Sequence, residues 1–173
     1  MIKYILILKK IIFIESDGFM EEIVKRLKEK NKTISTMESC TGGALCNEIT
    51  NIPGASEVLH FSAVTYSNEY KIKMGVSGSV IDKYTVYSIE TAREMSKNIC
   101  LFSNSNYGVG ITGKLNRVDI NNNYGLNNKV YISIYDNDNS NYYDYDLVVT
   151  SNNRLENKNK VIEFIKDKLL EIL

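Results

Sequence analysis

The chain has few of the residues that build zinc sites and histidine-dependent triads. Among 173 residues there are one histidine (His60), one proline (Pro53) and three cysteines. Cys40, Cys46 and Cys100 form no CxxC pair, so a structural zinc site is not expected, and a Ser-His-Asp triad would have to use His60. Free thiols point to a reducing, cytoplasmic setting. An excess of one charge sign is also lacking, because 21 Lys and Arg balance 21 Asp and Glu. That balance predicts neither nucleic acid nor an acidic membrane surface as a partner. The apolar N-terminal run, Met1 to Ile14, is interrupted by Lys3, Lys9 and Lys10. It falls short of the ~20 residues that a membrane span needs, and it lacks the small-residue cleavage site of a secretory signal. It reads as a strand or as an appendage.

What is present suits one domain with one sizeable core. Asp17 is a candidate N-cap for a helix over 18–31, where Phe19, Met20, Ile23, Val24 and Leu27 form an apolar stripe. A strand over 33–38 follows, then a turn at Ser39 and a helix over 41–50. Residues 51–56 form a loop around Pro53. Val58 to Ser67 reads as a buried strand ending at Tyr66, and Asn68 to Met74 as a short helix stopped by Gly75. Residues 77–87 show no decisive pattern. Ser88 opens a helix running to about Leu101, with Glu90 and Thr91 in its first turn. Tyr107 to Thr112 is a strand, 114–128 a polar loop, and 129–135 with 142–150 a hairpin. In the hairpin turn, Asp136 and Asp138 suit turn geometry better than calcium ligation. Alternate packing on the strand likewise accounts for Tyr142, Tyr143 and Tyr145. A helix from Arg154 to Leu173 closes the chain. The expected class is α/β, a single-domain mixed sheet flanked by helices on both faces. In such sheets ligands gather outside the carboxyl ends of strands, which groups Ser39, Tyr66 and Thr112.

Two stretches carry candidate chemistry. In Glu38-Ser39-Cys40-Thr41-Gly42-Gly43 a strand turns sharply into a helix, where free N–H groups and the helix dipole favour negative charge. The arrangement suits a serine nucleophile with an oxyanion hole, or an anion cradle. A plain helix cap followed by a glycine turn is the simpler alternative. In the second stretch Tyr66 leaves a strand and Lys71 lies about one turn inside the next helix. A partly desolvated lysine has a depressed pKa and can act as general base toward a serine. An exposed helix lysine is the simpler alternative here.

These two stretches, with Ile52-Pro53-Gly54-Ala55-Ser56 between them and Ile111-Thr112-Gly113 after them, resemble the C-terminal domain of the competence-damage-inducible CinA proteins. That domain is also found alone as nicotinamide-nucleotide amidohydrolase. The resemblance runs from about Met20 to the C-terminus. It implies hydrolysis of the carboxamide of nicotinamide mononucleotide by a Ser/Lys mechanism that needs no cofactor or metal. It makes Ser39 the nucleophile, Lys71 the base, and Tyr66 a residue between them that orients proton transfer. It places the oxyanion on N–H groups near Cys40 to Gly42. Glu38, Cys40, Thr41, Gly42, Gly43, Thr112, Gly113 and Arg154 become substrate-binding positions, with Arg154 as phosphate partner. The implied partner is a small nucleotide, with self-association of the protein and neither membrane nor nucleic acid involved.

The chain departs from the family pattern after Thr112-Gly113. The family continues there with an Ala-Gly-Pro run and further glycines, whereas this chain has Lys114-Leu115-Asn116-Arg117-Val118-Asp119-Ile120. Lys114 and Arg117 offer alternative phosphate contacts. The change leaves room for a nucleotide- or partner-binding module without turnover, or for a hydrolase of another small amide. Residues 1–19 are expected to be an extension, a remnant of a fused upstream domain or a misassigned start, with an extra core strand as the alternative. Residues 20–173 form the domain.

Overall fold

A computed structural model describes residues 18–120 and 122–173. The Asp17 cap and the whole N-terminal run, Met1 to Ile14, therefore lie outside the described residues. Helix α1 covers 18–29, and strand β1 covers Ile34–Glu38. Helix α2 (Ala44–Thr50) and a 3₁₀ turn (Ala55–Glu57) lead into β2 (Leu59–Val64). Next come α3 (Asn68–Lys73), α4 (Gly78–Tyr84) and α5 (Ile89–Ser103). Strands β3 (Tyr107–Gly113), β4 (Lys129–Asp136) and β5 (Asn141–Val148) precede α6 (Arg154–Ile172). Thus α4 occupies the segment that carried no decisive pattern. The described residues of the polar stretch between β3 and β4 form neither helix nor strand.

The sheet order is β2-β1-β3-β4-β5. Strand β1 runs parallel to both β2 and β3, while β3–β4 and β4–β5 are antiparallel. Period-2 alternation separates two apolar layers. Ile34, Val109, Ile111, Val130, Ile132 and Ile134 face a core with α1, α2 and α6, through residues such as Leu27, Leu45 and Ile165. Met37 faces the other way, onto Met95 and Ile99 of α5 and onto Val76. Helix α5 lies so close to β3 that a β-carbon at Gly108 would stand 2.1 Å from Ser96 O, and one at Gly110 2.2 Å from Ala92 O. Those two positions must therefore be glycine.

Local chemistry sets the element ends. Ser67 Oγ accepts the Tyr70 N–H at 3.3 Å, Ser88 Oγ accepts Thr91 N–H at 3.2 Å, and Asn153 Oδ1 accepts Leu155 N–H at 2.9 Å. Asp136 Oδ1 accepts the N–H groups of Asp138 and Asn139 at 3.0 and 3.2 Å, which closes the β4–β5 turn. From β1 the chain reaches β2 by way of α2 on one face. It returns to β3 by way of α5 on the other, so the crossover changes side around β1. That switch point opens a crevice at the C-terminal end of β1, where Ser39 lies.

Candidate active site

The turn after β1 is pinned at both ends. Ser39 N–H donates to Ile111 O at 3.0 Å, and Gly42 N–H donates to Ser39 O at 3.1 Å. Gly42 and Gly43 take φ of 66° and 92°, in the region that disfavours side chains, so α2 begins at Ala44 and not at 41. Glu38 is fully buried. Its Oε2 accepts the N–H groups of Gly43 and Leu45 at 3.0 and 3.2 Å, and its Oε1 accepts that of Cys46 at 2.9 Å. The positive end of α2 therefore holds the chain's own carboxylate. This corrects two expectations: Glu38 does not face a ligand, and the helix N-terminus is not an open anion cradle. Among the described residues, the turn amide of Thr41 has no protein acceptor, and that of Cys40 meets only its own thiol.

Lys71, on α3, is 2% exposed. Its Nζ donates to Ser39 Oγ at 3.0 Å and to Thr65 O at 2.8 Å. Burial disfavours the ammonium and lowers the Lys71 pKa to about 8, with the fields of Cys40 and Asp119 opposing the change. Burial acts oppositely on the Cys40 thiol, which is pushed up to about 12 although Arg154 and Lys71 pull it down. Cys40 therefore stays protonated near neutrality and is a poor nucleophile beside Ser39. Tyr66 does not lie between Ser39 and Lys71, which contact each other directly. Its ring is largely exposed, and its hydroxyl accepts from Arg154 Nη2 at 3.0 Å. Tyr66 follows the end of β2, and its hydroxyl reaches the first residue of α6.

A cavity of about 490 Å³ opens onto the pair. Of the residues singled out in the sequence, Ser39, Cys40, Tyr66, Lys71, Gly113 and Arg154 line it, whereas Glu38, Thr41, Gly42, Gly43 and Thr112 do not. Thr112 is buried, and its Oγ1 donates to Val86 O at 2.7 Å, which fastens the segment carrying Tyr87 to the end of β3. His60 sits exposed on β2 and does not line the cavity. Lys114 is 3% exposed, donates to Asn127 Oδ1 at 3.3 Å, and holds its Nζ 4.9 Å from the centre of the Tyr87 ring.

The lining residues that had not been singled out include Asn68, Tyr87, Asp119 and Asn122. The Tyr87 hydroxyl donates to Asp119 Oδ2, and Asn122 Nδ2 donates to the same oxygen at 3.1 Å. Asn68 Nδ2, at the start of α3, donates to Asn122 Oδ1 at 3.1 Å. Burial and the Asp119 carboxylate raise the Tyr87 pKa, so its proton stays in place. None of these contacts has a periodic sequence signal: Tyr87 and Asn68 reach a polar loop far away in the chain, and Asn122 bonds Asp119 within that loop. Among the described residues, Lys71, Lys114, Arg117 and Arg154 bring four cationic side chains to the cavity, against one carboxylate, Asp119. Among the described residues no group of three or more His, Cys, Asp or Glu could hold a metal ion, and no helix is long and apolar enough to cross a membrane.

The profile of the CinA C-terminal domain matches residues 16–173. The chain belongs to the CinA C-terminal domain family. A protein of Caldanaerobacter subterraneus subsp. tengcongensis, named for competence-damage induction, is 46% identical over 109 residues, covering 62% of this chain and 26% of its own length. One of the same name from Alkaliphilus oremlandii is 49% identical over 104 residues, covering 59% of this chain and 25% of its own. This CinA C-terminal domain thus spans about a quarter of the length of the curated relatives it matches. The crystal structure of the competence/damage inducible protein CihA from Agrobacterium tumefaciens superposes with a TM-score of 0.80 at 24% identity, covering 90% of this chain and 94% of that one. The competence or damage-inducible protein from Enterobacter asburiae gives 0.82 at 19% identity, covering 91% and 97%. At these identities the structural likeness is one of fold, a five-stranded mixed sheet in a single domain.

Proposed function

We propose that this CinA C-terminal domain is an amidohydrolase that converts nicotinamide mononucleotide to nicotinate mononucleotide and ammonia. The observation that carries the reading is the buried contact of Lys71 Nζ with Ser39 Oγ at 3.0 Å, at the floor of a cation-lined cavity. While protonated, Lys71 donates to Ser39. Once neutral, its lone pair accepts the Ser39 proton, and the other amine hydrogens keep the Thr65 carbonyl as an anchor.

In the forward direction Oγ attacks the carboxamide carbon as its proton passes to Lys71. The oxyanion lies against the Cys40 and Thr41 N–H groups. Lys71 then protonates the amide nitrogen, the C–N bond breaks, and ammonia leaves an ester on Ser39. A water gives its proton to Lys71 and attacks that ester. Collapse returns the proton to Oγ and frees nicotinate mononucleotide, with no cofactor required. Arg154, with Arg117 and Lys114, supplies charge for the phosphate. A cytoplasmic location is part of this reading, and the free thiols support it.

The test is ammonia release from nicotinamide mononucleotide by wild type, Ser39→Ala and Lys71→Ala. Turnover by wild type alone supports the proposal, and full activity in Ser39→Ala removes it. Turnover of a different small amide, with none of the mononucleotide, would keep the dyad and change the substrate.

A further inference from the structure

Asp119 is the one carboxylate among the described residues lining the cavity, and a cavity built only to hold a phosphate would gain nothing from it. Its position is fixed from two sides. Tyr87 O–H and Asn122 Nδ2 both donate to Oδ2, and Asn122 is itself held by Asn68 at the start of the helix that carries Lys71. Tyr87 is fixed in turn, because Thr112 grips the preceding residue and the Lys114 ammonium lies against its ring. The carboxylate is thus held on the side of the cavity near the Ser39–Lys71 pair, where its field reaches Lys71. Arg154 is bonded to Tyr66 at the mouth.

We infer that Asp119 is a specificity-determining residue that selects amides borne on a cationic ring. The inference rests on the amidohydrolase reading. A carboxamide presented to Ser39 carries its ring beside the dyad. In the mononucleotide that ring is a pyridinium, with a full positive charge that Lys71 alone would repel. A fixed carboxylate offsets that repulsion and attracts the ring. In a partly desolvated site such a charge pair discriminates by at least about tenfold. The reduced mononucleotide has the same carboxamide, ribose and phosphate but a neutral dihydropyridine ring, and gains nothing from Asp119.

The experiment measures binding of the oxidised and reduced mononucleotides to Ser39→Ala by calorimetry, with and without Asp119→Asn, alongside ammonia release from both by the Ser39 enzymes. The expected result is at least about a tenfold preference for the oxidised form, lost in Asp119→Asn while the reduced form binds as before. Because Asp119 also supports the Lys71 ammonium, Asp119→Asn should move the rising limb of the pH–rate profile to lower pH, which a merely structural residue would not do. The comparison of the two ligands on the parent protein needs no Asp119 variant, so a folding defect in Asp119→Asn cannot hide the answer. Equal binding of the two forms, or a preference that survives in Asp119→Asn, overturns the assignment while leaving the amidohydrolase reading intact. The expected preference without ammonia release overturns the amidohydrolase reading alone. Binding of neither form overturns both.

Discussion

Lys71 reaches Ser39 because Thr65 holds it: Nζ donates to the Thr65 carbonyl at 2.8 Å and to Ser39 Oγ at 3.0 Å. The carbonyl belongs to the segment leaving β2, and the serine to the segment leaving β1. Two neighbouring parallel strands thus aim a base and a nucleophile at one point, and the register of β1 on β2 sets their spacing.

With Lys71 as the base, the rate should depend on its neutral form. We expect kcat/KM for the mononucleotide to rise with pH along a limb with a pKa of about 8. Lys71→Arg should be inactive throughout, since a guanidinium does not give up its proton. Activity in Lys71→Arg comparable to wild type would mean that the position supplies only charge.

The same burial has a cost in stability. Lys71 has a folded pKa of about 8 against the usual 10.5. Between those values the unfolded chain keeps a proton that the folded one has lost, so this group makes stability rise with pH across that window. Below the window the full cost of the buried charge applies. Lys71→Met should therefore be more stable than wild type at pH 7, by about 2 kcal/mol, and the gap should close toward pH 10.5. Denaturant unfolding at several pH values measures it.

Glu38 should matter for folding more than for affinity. Glu38→Gln weakens a carboxylate that accepts three backbone N–H groups. The expected loss is about 2 kcal/mol of unfolding free energy, with KM changed little in whatever enzyme folds. A large KM effect at unchanged stability would return Glu38 to the ligand.

Much of this architecture was legible in the chain. The stripe through Ile23 and Leu27, the cap at Ser88, and the strand into Ser39 are local signals, because 3.6- and 2-residue periods and capping chemistry act within a few residues. The site was only partly legible. The family resemblance made Glu38 a substrate-binding position, yet its carboxylate reaches forward over the turn to α2, a contact between residues up to eight positions apart. Lys71 shares its short helix with Lys73, and only the family resemblance, not periodicity or composition, separates the buried lysine from the exposed one. Tyr87 and Asp119 meet across 32 residues between two segments without periodicity.

Gly110 offers a packing test independent of chemistry. A β-carbon there would meet backbone atoms of α5, which cannot yield as a flexible side chain would. Gly110→Ala should cost about 3 kcal/mol, read as a lower denaturation midpoint. A neutral result would mean that α5 can lift from β3 freely.

Arg154 should act on the phosphate end. Arg154→Ala should raise KM for the mononucleotide about tenfold or more, while leaving turnover of the unphosphorylated riboside nearly unchanged. An equal loss with both substrates would assign Arg154 to holding Tyr66 instead.

The most direct measurement is the mass of the protein acid-quenched during turnover, followed by mapping of the modified peptide. The account predicts an adduct equal to the mononucleotide less ammonia, on Ser39, absent from Ser39→Ala. Sustained turnover with the adduct on Cys40, or with full activity retained in Ser39→Ala, would contradict it.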